Sequence, residues 1–195
     1  MIKRMFDIIF SFFGIILFIP IFFVVAIFIK LDSKGPIFFI QNRVGLNGKI
    51  FKIIKFRSMK SNSENSLTVT LQDDNRITRV GKKIRNYKID EIPELINVLI
   101  GDMSFVGPRP DVPGYADLLK GKSRNILKLR PGITSRASIK YANEEQILMT
   151  KEDPIAYNNE VIFPDKVKMN LNYYQNNNIW IDIKIIFATL CKLYE

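Results

Sequence analysis

From Ile8 to Ile29 the chain runs for 22 residues without a charge, and only Ser11, Gly14 and Pro20 interrupt its aliphatic and aromatic side chains. At about 1.5 Å per residue a helix of this length covers the roughly 30 Å of a bilayer core. Apolar sequence continues past Pro20 to Lys30 with no small-residue cleavage site, so the segment reads as retained rather than as a removed leader. A helix apolar all round belongs in a membrane or in the centre of a large core, and this chain has little protein with which to cover it. Lys3 and Arg4 precede the segment and Lys30 and Lys34 follow it, so basic residues flank both ends. Pro20 removes one helical hydrogen bond and disfavours helical geometry at Ile19, so a bend there would return both ends to one face. Kinked spanning helices also contain proline, and the pattern leaves crossing and re-entry both open.

Ile37 to Met59 reads as a β-hairpin: apolar Ile37, Phe38, Phe39 and Ile40, a turn at Leu46-Asn47-Gly48-Lys49, then Ile50, Phe51, Ile53, Ile54 and Phe56. Lys60 to Asn75 is polar and Ser/Asn-rich, and reads as an exposed loop. Helices are predicted at Glu91–Ile100, Tyr115–Leu119, Asn143–Met149 and Ile179–Leu193. In the last, Ile179, Ile183, Ile186, Leu190 and Leu193 form a stripe that packs on the domain's own core or rests on a membrane interface. The fold class expected is α/β, mostly α: residues 1–34 form a membrane anchor helix and residues 35–195 a small domain with a β-hairpin and amphipathic helices.

Composition narrows the chemistry. The 29 Lys and Arg against 19 Asp and Glu give a net charge of +10, of which eight belong to residues 35–195, and this favours an anionic partner. The cations are spread over several blocks with no basic tract, which argues against nucleic acid. There is no histidine, so Ser-His-Asp and Cys-His catalysis and imidazole metal sites are excluded. The single Cys191 excludes an internal disulfide and fits a reducing compartment.

Candidate chemistry gathers between Arg85 and Arg109, in RNYKIDEIPELINVLIGDMSFVGPRP. Asp90 and Glu91 stand before an apolar-periodic stretch with Pro93 in what would be its first turn, which makes Asp90 a natural N-cap. Taken alone that is a structural role. The neighbours add another: a helix N-terminus attracts anions, Arg85 and Arg109 can clamp phosphates in bidentate fashion, and a vicinal Asp-Glu pair offers oxygens to a divalent cation. Together they describe a site for a metal-bound pyrophosphate. Two prolines flank Arg109 and fix its surroundings, while Lys55-Phe56-Arg57 and Arg130-Pro131-Gly132-Ile133-Thr134 add cations beside turn residues.

The sequence resembles the monotopic phosphoglycosyl transferases, the bacterial sugar transferases that begin lipid-linked glycan assembly. The resemblance lies in KRMFD, GPIFFIQNRVGLNGKIFKIIKFRSM, RITRVGKKIR, IDEIPELINVLIGDMSFVGPRP, RPGIT and DIKIIFATL, and covers nearly the whole chain. It implies a membrane helix that re-enters at Pro20 and a domain resting on the cytoplasmic face of the bacterial plasma membrane. It implies transfer of a phospho-sugar from a UDP-sugar to undecaprenyl phosphate with release of UMP. By motif position Asp90 is then the nucleophile and, with Glu91, the holder of Mg²⁺, while Lys55, Arg85 and Arg109 face the phosphates. Departures from the family pattern are Ile19 where serine is frequent before the proline, Ser135-Arg136-Ala137 where many members have Gly-Trp-Ala, and Asn170 where many have an acid. The sugar and the oligomeric state are not set by these residues. The rivals are a non-enzymatic anchored module that binds acidic lipid, which leaves the Asp90-Glu91 pair unexplained, and a piece of a polytopic transferase, which would require more apolar segments.

Overall fold

The computed structural model describes residues 1–60 and 76–192; most of the polar stretch read as a loop lies outside the described residues. The apolar run forms α1 (Ile2–Asp32), continuous through Pro20. Asp7, Ser11, Val25 and Ile29 are buried, and Gly14, Phe18 and Phe22 are half-buried between them. These positions recur every three or four residues, so one stripe of α1 faces the rest of the chain. The other faces are apolar and exposed, among them Phe13, Leu17, Phe23 and Ile27. The few small and polar residues of the run thus mark the packed face: a Cβ on Gly14 would stand 3.3 Å from Leu95.

Both ends of α1 dock. At its start the Lys3 ammonium donates to Asp182 (2.6 Å), to the Val106 carbonyl (3.0 Å) and to Tyr173 (3.3 Å). Tyr173 in turn donates to the other oxygen of Asp182, which is 1% exposed. Buried Asp7 accepts from the Ser104 hydroxyl and the Phe105 amide. At the far end Val25 and Ile29 pack with Phe56 and Ile84, and the Arg57 guanidinium donates to the carbonyls of Ser33 (2.7 Å) and Lys34 (2.9 Å).

The hairpin forms as its pattern predicts. Strands β1 (Phe38–Val44) and β2 (Ile50–Phe56) pair antiparallel from Phe38 opposite Phe56 to Val44 opposite Ile50. Asn47 and Gly48 take the left-handed conformation at the turn, φ 57° and 79°. After α2 (Arg79–Asn86), capped by Thr78, comes α3 (Glu94–Ile100). The fully buried Asn97 of α3 accepts from the Ile54 amide (3.0 Å) and donates to the Lys52 carbonyl (2.8 Å), fastening α3 along β2. Ile53, Val98 and Met103 close the core beneath, each side chain contributing about 1.5–3 kcal/mol by burial. At the other end of α3, Arg4 of α1 donates to the carbonyls of Val98 and Leu99, a cation answering the helix's exposed acceptors.

The strands β3 (Ser104–Val106) and β4 (Gly132–Thr134) are three residues each and pair in parallel. Their glycines permit it: a Cβ on Gly107 would meet the Arg130 carbonyl at 2.2 Å, and one on Gly132 the Gly107 amide nitrogen at 2.1 Å. The chain continues through α4 (Arg136–Lys140), α5 (Glu144–Met149), α6 (Pro154–Tyr157), a π-turn at Asn158–Ile162, α7 (Phe163–Asn176) and α8 (Ile179–Lys192). The α/β, mostly helical class is as expected, with three corrections. The helix expected at Tyr115–Leu119 is a single 3₁₀ turn, Ala116–Leu118. The helix expected from Glu91 begins at Glu94. The buried face of α8 is Asp182 and Ile185 with Ile181 and Ile186 beside them, because Asp182 is drawn to Lys3; Leu190, expected in the packed stripe, is exposed with Trp180 and Phe187.

Candidate active site

Asp90 does not cap α3. It lies in a 3₁₀ turn, Ile89–Glu91, entered through Lys88 in the left-handed conformation (φ 55°). A cap at Asp90 would need the amide of Ile92 or of residue 93. The Ile92 amide already donates to the Ile89 carbonyl (3.2 Å), and Pro93 has no N–H. Asp90 is therefore left buried, 8% exposed, and its Oδ1 has no hydrogen-bond partner among the described residues. Burial raises its carboxyl above the ordinary range, and the adjacent Glu91 charge raises it further against the pull of Lys55 and Arg85.

Glu91 is the opposite case. One of its oxygens, Oε1, accepts from Lys55 (2.8 Å) and from Arg109 (2.8 Å). Burial alone would raise this carboxyl, but Arg109 and Lys55 outweigh it and hold it well below its usual value. Lys55 also pairs with Glu94 Oε1 at 3.0 Å, and the two carboxylates raise its ammonium despite burial. Glu94, 3% exposed, is pushed up to about 7 by burial.

The fold delivers each group separately. Lys55 stands on β2, opposite Phe39, on the same face as Ile53 and so directed at α3. Arg109 follows the β3 to β4 clasp, in a strap fixed where Gly132 donates to the Pro108 carbonyl (2.8 Å) and Val44 to the Asp111 carbonyl (2.9 Å). Arg43 of β1 donates to the Pro110 carbonyl (3.1 Å) in the same strap. Burial and the nearby Arg109 lower the Arg43 guanidinium, so a second cation backs the site. Arg85, on the last turn of α2, is paired with Glu145 of α5 at 2.6 Å and acts on Asp90 through its charge. Lys55, Glu91 and Arg109 thus form one bonded cluster beside Asp90, and Arg85 is held at its edge. Pro20 lies exposed on α1, outside this cluster.

Glu94 and Arg43 escaped the reading of the sequence. A signal for each was present: Glu94 is three residues from Glu91, on a shared helical face, and Arg43 alternates with Gln41 and Phe39 on the face of Lys55. Arg130, counted there among the cations, instead donates to the Gly101 carbonyl at the end of α3 (2.9 Å).

The residues fit a divalent cation of the kind that keeps substrate phosphates among its ligands. Among the described residues no three metal-ligating side chains converge, but Asp90 Oδ1 is buried and unanswered beside a second carboxylate. Mg²⁺ is commonly held by one or two carboxylates plus phosphate oxygens. The arrangement offers an electron-rich, desolvated carboxylate flanked by fixed cations, the elements needed for attack on a phosphoryl group.

A sequence model of the bacterial sugar transferases matches residues 1–195, and the chain belongs to that family. Over 195 residues it is 38% identical to the UDP-N-acetylgalactosamine-undecaprenyl-phosphate N-acetylgalactosaminephosphotransferase of Aeromonas hydrophila, an alignment covering 97% of this chain and 43% of the relative. It is 36% identical to the UDP-glucose:undecaprenyl-phosphate glucose-1-phosphate transferase of Escherichia coli K12, covering 98% and 40%. With the exopolysaccharide production protein ExoY of Sinorhizobium fredii it shares 32% identity over 96% of this chain and 83% of the relative. The chain therefore spans about two fifths of the length of the first two and most of the third.

Proposed function

We propose that the chain transfers a phospho-sugar from a UDP-sugar to undecaprenyl phosphate in two steps through Asp90. An Asp90 oxygen attacks the β-phosphorus, the bond from that phosphorus to the bridging oxygen breaks, and UMP departs with the electron pair. An oxygen of undecaprenyl phosphate then attacks the same phosphorus, and Asp90 leaves as carboxylate. Lys55 and Arg109 face the phosphoryl oxygens, and Arg85 exchanges Glu145 for a phosphate. Asp90 and Glu91 would hold Mg²⁺, which supplies charge neutralisation for the diphosphate.

The observation that carries this reading is Asp90 Oδ1, buried without a partner among the described residues, next to Glu91, one of whose oxygens already accepts from two cations. The covalent step suits two substrates that reach a shallow site from different phases, and it predicts ping-pong kinetics. The exposed apolar faces of α1, with both its ends docked on one domain, support a re-entrant helix on the cytoplasmic side of a bacterial membrane. The test is incubation with Mg²⁺, undecaprenyl phosphate and a panel of donors headed by UDP-N-acetylgalactosamine and UDP-glucose, with UMP as readout. Intact-mass measurement with donor alone should show a phospho-sugar adduct. Release of no UMP with any donor would favour a lipid-binding module.

A further inference from the structure

Glu94 takes no part in the two steps above, yet it is a carboxylate 3% exposed at the first turn of α3. Burying a carboxylate costs several kcal/mol unless a partner answers it, and an apolar residue in its place would pack at no such cost. Lys55 is the cation bonded to it among the described residues, at 3.0 Å. The same ammonium is 2.8 Å from Glu91 Oε1, and that oxygen also accepts from Arg109. Glu91 Oε1 is thus shared between two cations, and a metal ion ligated by the same carboxylate would draw its charge away from both. Glu94 has no such competing duty.

Resting on the function proposed above, we propose that Glu94 is a positioning residue: it pins the Lys55 ammonium from below, so that Lys55 keeps its place when Glu91 turns to other ligands. β2 presents Lys55 to α3, and Asn97, one turn further along α3, fixes the strand to the helix through Lys52 and Ile54. Glu94 and Asn97 therefore act on the same short stretch, one on its backbone and the other on its charge. The competing account is that an acid at a helix N-terminus merely stabilises α3, a role that needs no lysine.

The experiment uses the full chain and two readouts. Amine acetylation followed by peptide mass analysis reports how firmly Lys55 is held, with no substrate present. The rate of adduct formation, with a donor that wild type accepts, reports the chemistry. Lys55 is expected to resist acetylation in wild type and in Glu94→Gln, whose amide oxygen still accepts from it, and to react in Glu94→Ala. Adduct formation should fall about a hundredfold in Glu94→Ala, the scale of a misplaced contact of about 1 Å, and stay within about threefold of wild type in Glu94→Gln. In a Lys55→Ala background Glu94→Ala should cause no further loss, because the residue it acts through is gone. Protection of Lys55 in Glu94→Ala, or a Glu94→Ala loss of equal size with and without Lys55, would overturn the proposal in favour of the helix-stabilising account. Lack of an adduct in wild type would count against the proposed function alone, since the acetylation pattern still decides whether Glu94 pins Lys55.

Discussion

Among the described residues, one cluster of charge lies where α1 begins and another beside Asp90, and they differ in closure. At the start of α1, Lys3 has three acceptors, Asp182 is bonded through both oxygens, and Asp7 accepts twice. Beside Asp90, Lys55 answers both Glu91 and Glu94, one oxygen of Glu91 serves both Lys55 and Arg109, and Asp90 Oδ1 is unanswered among the described residues. A buried network with every group paired fixes geometry, whereas one left open keeps capacity for a ligand. The first should therefore register in stability and the second in turnover.

The sharpest break is Asp90→Asn, which removes the attacking oxygen's charge at nearly constant volume. Turnover should fall by about 10⁴-fold or more, with no adduct by intact mass and an unfolding midpoint close to wild type. An adduct in this variant would move the nucleophile elsewhere. Asp182→Ala should do the reverse: with Lys3 left without its carboxylate and Tyr173 without its acceptor, about 3 kcal/mol of stability is lost in denaturant unfolding, while folded molecules still form the adduct. Arg109→Lys keeps the charge but loses the planar fork, and kcat/KM should drop about 10- to 100-fold at unchanged stability. A wild-type rate would mean that Arg109 only shapes its turn.

Two smaller effects refine the contrast. Asp7→Asn still offers an oxygen to Ser104 and Phe105 and should cost about 1–2 kcal/mol, visible in unfolding but not in turnover. Asp111, in the Arg109 strap, is pushed up to about 6 by burial, against the pull of Lys166 and Arg43. The folded state holds that proton more tightly than the unfolded one, so the stabilisation is present below about pH 4 and is lost as pH rises through about 6. Asp111→Asn should flatten the fall in stability between pH 4 and 7, measured as unfolding midpoints across that range.

The hairpin and α1 were legible because their signals are local: two apolar runs on either side of Asn47-Gly48, and 22 residues without a charge. The Asp90-Glu91 pair stood out as candidate chemistry, but its local structure did not, since a sequence does not tell which carbonyl has already taken the Ile92 amide. The pairing of β3 with β4 left no periodic trace in strands of three residues; it depends on two glycine blocks meeting backbone to backbone. α7 carries Pro164 and a run of polar residues that mask its period. Asp182 is a polar residue off the apolar stripe, and nothing near it in sequence announces the lysine it answers.

That lysine lies 179 residues away, which bears on the order in which the protein is made. Lys3, Arg4 and Asp7 leave the ribosome long before any of their partners: Val98 and Leu99, then Ser104 and Val106, then Tyr173 and Asp182. During that interval the beginning of α1 carries unsatisfied charges and an apolar body, a combination suited to waiting at a bilayer surface. The hairpin and α2, synthesised soon after, can fasten its other end first. Synthesis order thus allows the helix to be secured from its end toward its beginning, and the Asp182 contact needs nearly the whole described chain to have emerged.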